Sequence, residues 1–131
     1  MSREPSEELD SLAHRVIGAA IAVHRVLGPG HLESVYEKAM CVELTGLGIK
    51  YVAQHRFQVN YEGVDVGESR VDLLVENALV VELKAIEQFA PIHSAQVLAY
   101  LKGLNLHLGL LINFNVMLLK NGMKRIINPT F

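Results

Sequence analysis

The sequence has one cysteine, Cys41, among 131 residues. This excludes an internal disulfide and makes a cysteine-based zinc site untenable. Six histidines are present, at 14, 24, 31, 55, 93 and 107, and no two stand at His-x-x-x-His spacing. A histidine zinc site is therefore not expected either. No apolar run approaches the ~18 residues a membrane helix needs, and the first residues lack the apolar core of a signal peptide. These absences suggest the cytoplasm. There is no Gly-x-x-x-x-Gly-Lys-Ser/Thr and no Gly-x-Gly-x-x-Gly, so a nucleotide-binding enzyme has no motif to support it. Excess positive charge is missing as well. Twelve basic residues face fourteen acidic ones, for a net charge of −2. A chain gripping nucleic acid through broad phosphate contacts is usually basic. Any such contact here must come from a local site, a metal ion or a partner.

What is present is a rich apolar content. Half of the residues are hydrophobic and a fifth are charged, which excludes a disordered chain. The length suits one domain spanning 1–131, with a loose tail at 1–5. Mean hydropathy is positive, +0.25. Either a full core or a homodimer interface accounts for it.

Ser6 is placed to cap a helix whose first turn holds Glu7 and Glu8. Leu9, Leu12, Val16, Ala20, Val23 and Leu27 continue it at helical spacing. Gly28-Pro29-Gly30 separates it from a second helix over 31–45, where Cys41 is a core residue. Strand formers follow from Ile49 to Asn60, with a turn at 61–63 and a short strand at 64–66. Clear strands run over 70–75 and 79–85. Pro91 opens a third helix, near whose start His93 is an end residue. Strands follow at 107–113 and 116–119, and Asn121-Gly122 predicts a hairpin into 123–127. Segments 79–83 and 106–112 are apolar on both sides, which predicts a sheet covered on both faces with a crossover helix between them. The fold class expected is α/β, a central mixed β-sheet flanked by helices.

The two strands at 70–75 and 79–85 carry the chemistry. Their odd positions, Val71 to Ala85, are all apolar. Their even positions hold Arg70, Asp72, Glu82 and Lys84 beside Leu74 and Val80. Alternation puts each set on one face. For Asp72 and Glu82 to share a face, opposed residues must have an even sum, which requires an odd-length or bulged connection at 76–78. Two close carboxylates repel each other and favour a divalent cation, and oxygen ligands suit Mg²⁺ or Mn²⁺. A lysine beside them can orient a water or offset charge on a phosphate. A solvated face with Lys84 balancing two acids fits the same pattern.

Asp72 followed by Glu82-Leu83-Lys84 resembles the signature of the PD-(D/E)XK nuclease superfamily, with Val71 where its proline would stand. Gln96 and Tyr100 resemble the Gln-x-x-x-Tyr of RecB-like members. Gly30-His31-Leu32-Glu33-Ser34-Val35-Tyr36 resembles the signature of the prokaryotic GxxExxY proteins, and similar blocks continue at 70–75, 81–85 and 111–114. The resemblance implies a restriction-endonuclease-like core and metal-dependent nuclease activity. It implies Asp72, Glu82 and the Leu83 carbonyl as ligands of Mg²⁺ or Mn²⁺, assisted by Glu33. Lys84 would position the water. Gln96 and Arg70 would touch nucleic acid, DNA in the first instance, and Tyr100 would brace Lys84 or Gln96. Tyr36 is a packing residue on this reading. The alternative is a catalytically silent nuclease fold acting as a homodimeric binding or accessory module.

Overall fold

A computed structural model describes residues 4–131; the expected tail falls partly at 1–3, outside the described residues. The element order is α1 (Glu7–Leu27), α2 (Glu33–Gly46), β1 (Tyr51–Tyr61), β2 (Val64–Val75), β3 (Leu79–Lys84), α3 (Pro91–Leu104), β4 (Leu108–Asn113) and β5 (Met123–Ile127), with a 3₁₀ turn at Leu119–Gly122. The five strands form one mixed sheet in the order β1-β2-β3-β4-β5. Only β3 and β4 are parallel, and α3 is the crossover between them.

Local chemistry explains the helix starts. The Ser6 hydroxyl accepts from the Leu9 N–H at 3.2 Å, and Glu7, Glu8 and Asp10 occupy the positive end of the α1 dipole. At α3, Pro91 takes the first position, where its missing N–H costs nothing. The Ala90 N–H is taken by His93 Nδ1 at 2.9 Å, so His93 is indeed a helix-end residue.

The sheet is covered on both faces, as the doubly apolar strands predict. Leu73, Val75, Leu79, Val81 and Leu83 pack with Val16, Ala20, Tyr36, Met40 and Leu44 of α1 and α2. Val71, Leu74, Val80 and Leu111 pack on the other side with Val97 and Leu101 of α3. Gly109 of β4 makes that second contact possible. A Cβ there would lie 2.6 Å from Val97 Cγ1. Gly109→Ala is expected to lift α3 and cost about 1–3 kcal/mol, measured by urea unfolding.

Two expectations are corrected. Residues 116–119 are not a strand, and Asn121-Gly122 is not a hairpin turn. A type I′ turn needs positive φ at both residues, and neither has it. Instead Leu119 is buried and Gly122 is pressed to the Asn113 carbonyl, where a Cβ would come within 2.2 Å. The partner of β4 is β5. Secondly, Val71 leaves the face of its odd-numbered neighbours and joins the α3 cluster. The cause lies opposite Asp72. Gln54 of β1 has φ 54° and the Gln54–Asp72 pair is missing from the ladder, well before the register shift at Val59/Asn60. The β1–β2 ribbon turns there and runs on beyond the sheet.

Candidate nuclease site

The connection of β2 to β3 has three residues, Glu76-Asn77-Ala78, and the pairs are Leu73↔Val81, Leu74↔Val80 and Val75↔Leu79. Every sum is even, as the shared face of Asp72 and Glu82 demands. Glu76 and Asn77 absorb the tight turn at φ 51° and 54°; asparagine tolerates this region well.

Backbone pairing of β2 and β3 stops after Leu73↔Val81. Beyond it, side chains take over the ladder. The Asp72 N–H donates to Glu82 Oε1 at 2.7 Å, and the Leu83 N–H donates to Asp72 Oδ2 at 2.8 Å. The two carboxylates thus lie between diverging strands, each anchored to backbone of the opposite strand, Glu82 to Asp72 and Asp72 to Leu83. The Leu83 carbonyl points toward the same gap as its amide, because both groups of a strand residue face one neighbour.

Charge crowds this gap. Glu82 is 6% exposed, and its carboxyl is pushed up to about 8, first by burial and then by Asp72, against the lowering effect of the Asp72 N–H and Lys84. Glu33 opens α2 and is exposed as a residue, yet partial desolvation of its carboxyl raises its pKa, with Asp72 and Glu37 adding and Lys84 opposing. Tyr100 approaches from α3. Its hydroxyl is raised by burial, then by Glu82 and Asp72, while Arg70 lowers it. One end of the sheet therefore gathers Asp72, Glu82, Lys84, Glu33, Arg70 and Tyr100 between the α2 and α3 layers. Gln96 is exposed on α3, and its side chain makes no hydrogen bond among the described residues.

The sequence reading missed two members. Gln54 Nε2 donates to Glu37 Oε1 and lies 3.4 Å from Asp72 Oδ1. Glu37 is itself raised by burial, with Gln54 lowering it, Asp72 raising it and Arg70 lowering it. Glu37 follows Glu33 by one turn, so the i,i+4 spacing was a legible sign that both face the gap. Gln54 left no such signal, because its placement depends on a left-handed residue inside a strand.

Second-line supports are built from polar groups that all find partners. The Tyr36 hydroxyl donates to the Gly28 carbonyl at 2.6 Å and accepts from the His31 N–H at 3.1 Å. Its ring stacks on Phe114 with centroids 4.5 Å apart. It pins the Gly-Pro-Gly turn and hence the start of α2, where Glu33 sits. Asn113 is 2% exposed. It accepts from the Ile86 N–H at 3.0 Å and donates to the Ile86 carbonyl at 2.9 Å, fixing the chain just after Lys84.

A family model for the PD-(D/E)XK nuclease superfamily matches residues 10–126. The chain belongs to this superfamily. The match spans the sheet, the three helices and the charged gap, and the five-stranded mixed sheet agrees with a restriction-endonuclease-like fold. No curated protein and no solved structure matches the chain significantly.

The superfamily's usual divalent metal can be tested against the donors. Among the described residues, no three of His, Cys, Asp and Glu are spaced to hold a metal by themselves. Mg²⁺ does not require that, since it commonly takes one or two carboxylates and completes its shell with water and substrate oxygens. Asp72, Glu82 and the Leu83 carbonyl are hard oxygen donors facing one gap, and Glu82, raised first by burial and then by Asp72, is a carboxyl whose ionised form a cation would stabilise. The donor set fits. No helix among the described residues is long and apolar enough to cross a membrane.

Proposed function

We propose that the protein is a Mg²⁺- or Mn²⁺-dependent nuclease that hydrolyses phosphodiester bonds of DNA. The observation that carries this reading is that two carboxylates bridge the opened β2–β3 ladder, Glu82 accepting from the Asp72 N–H and Asp72 from the Leu83 N–H. Structural charge pairs lie on a sheet face; these two acids replace backbone pairing to stand together, which a purely structural role does not require. Within the superfamily, the Gly30–Tyr36 segment and the Gln96–Tyr100 pair favour a GxxExxY-type, RecB-like member.

On this reading Asp72, Glu82 and the Leu83 carbonyl hold the cation, which when bound supplies Lewis acidity toward the scissile phosphate. Lys84 orients the attacking water and offsets charge that builds on the phosphate oxygens. Glu33 stands at the edge of the site, where its carboxyl, raised by partial burial and by Asp72, can assist the metal or hold a proton. Arg70 and Gln96 contact the nucleic acid, and Tyr100 braces the α3 side. Glu37 and Gln54 hold Asp72 in place.

The test is a cleavage panel with single- and double-stranded DNA and RNA, in Mg²⁺ and in Mn²⁺, with Asp72→Asn as the control. Metal-dependent cleavage that the control lacks is the expected result. Absence of cleavage on every substrate, together with no thermal shift from metal, would leave a nuclease fold used as a binding or accessory module.

A further inference from the structure

Beside the carboxylates the β1–β2 ribbon sets two arginines directly opposite each other. Arg56 of β1 pairs with Arg70 of β2, so both guanidinium groups leave the same face of the ribbon. Like charges at opposed positions destabilise a strand pair, and the chain does little to offset the cost. One acid serves one of the two. Glu68 Oε1 accepts from Arg56 Nη1 at 3.3 Å, with the two side chains 56% and 65% exposed. An exposed pair of that kind contributes roughly 0–1 kcal/mol and exchanges readily. Arg70 makes no ion pair within contact distance among the described residues.

The two arginines are not scattered surface charges. With Glu68, Ser69 and Tyr100 they line a hollow of 390 Å³. Tyr100 is itself held by the second core cluster, where Phe57 meets its ring edge-on at 6.1 Å. Arg70 stands two residues before Asp72, about 7 Å along an extended strand. Arg70 also lies within electrostatic reach of Tyr100 and Glu37. A ligand in the hollow would therefore touch both arginines and Tyr100, whose hydroxyl also feels Glu82 and Asp72.

We propose that Arg56 and Arg70 form a phosphate clamp that holds a backbone phosphate of the substrate strand next to the one being cut, with Glu68 as its competing occupant. This rests on the nuclease reading and extends it to the substrate's flank. Guanidinium forks suit the paired oxygens of a phosphodiester. The clamp also accounts for how an acidic chain could grip a polyanion: the positive charge is concentrated at one point and partly masked by Glu68 until a phosphate displaces it.

The test is fluorescence anisotropy with a labelled single-stranded oligodeoxynucleotide, in Ca²⁺, at several salt concentrations. Each counterion-releasing contact contributes about 0.7 to the slope of log K against log salt for a single strand. Arg56→Ala is expected to lower that slope by about 0.7 and to weaken binding roughly 3- to 10-fold near 0.1 M salt, with an unchanged melting temperature. Glu68→Gln is expected to act in the opposite direction and tighten binding, which a merely structural Arg56–Glu68 pair would not do. If Arg56→Ala keeps both affinity and slope while the wild-type protein binds and cleaves, the clamp is wrong and the nuclease reading stands. If the wild-type protein neither binds nor cleaves, both fail together.

Discussion

Replacing Lys84 with alanine is expected to lower metal-dependent cleavage by about 10²–10⁴-fold while the protein stays folded. The magnitude follows from what one preorganised positive donor or one proton-handling group contributes at a reacting centre. It corresponds to about 3–5 kcal/mol of barrier. Preservation of the fold follows from how little the side chain does elsewhere. The strand position of Lys84 is fixed by its backbone, which pairs with Asn113 and accepts from the Phe114 N–H at 2.9 Å. Its ammonium makes no ion pair within contact distance among the described residues. What it does supply is a field that lowers Glu82 and Glu33. Its loss should therefore lower the melting temperature slightly at neutral pH. Lys84→Arg keeps the charge but presents a planar fork in place of a compact ammonium, so it should recover stability more fully than rate. Single-turnover cleavage and thermal melting of the three proteins separate these effects. Wild-type rates in purified Lys84→Ala would remove Lys84 from the mechanism.

The sheet and its site were legible in the sequence to different depths, for physical reasons. Alternation along 70–75 and 79–85 placed Asp72 with Glu82, because strand periodicity and the parity of a three-residue turn are strict geometric constraints. The doubly apolar strands announced the crossover of α3, since a strand buried on both faces has no polar alternation to show. The failures share one origin, which is backbone that departs from its local pattern under tertiary packing. Asn121-Gly122 has hairpin chemistry, but Gly122 is recruited to pack on Asn113 and the chain tightens into a 3₁₀ turn. Val71 obeys alternation only until the ribbon turns at Gln54. That same irregular residue brings its amide between Glu37 and Asp72. Local strain gathers at functional sites, so the position least predictable from periodicity is also one that shapes the site.

Without divalent metal, the protein is expected to lose stability as pH rises from 5 to 9, the reverse of ordinary acid denaturation. Glu82 sets the sign. Below pH 4.5 it is protonated in both the folded and unfolded chains and contributes no pH dependence. Between 4.5 and about 8 the unfolded chain ionises while the folded carboxyl keeps its proton. The folded state then holds more protons, and stability falls by up to about 1.4 kcal/mol per pH unit. Above about 8 both states are ionised and the loss is complete. Glu33 and Glu37, also raised, act in the same direction with smaller effect because solvent screens them. A bound cation selects the ionised carboxylates, so its stabilisation should grow across the same window and flatten the profile. Glu82→Gln separates the causes. Its side-chain carbonyl can still accept from the Asp72 N–H, yet it carries no charge to bury. The variant should melt higher than wild type at pH 8 without metal, and should lose most of the metal-induced shift. Melting curves at pH 5, 7 and 9, with and without Mg²⁺, decide the matter. A metal-free melting temperature that holds level or climbs with pH would mean that Glu82 is not buried against Asp72 as described. A variant that still responds to Mg²⁺ like wild type would move the cation away from Glu82.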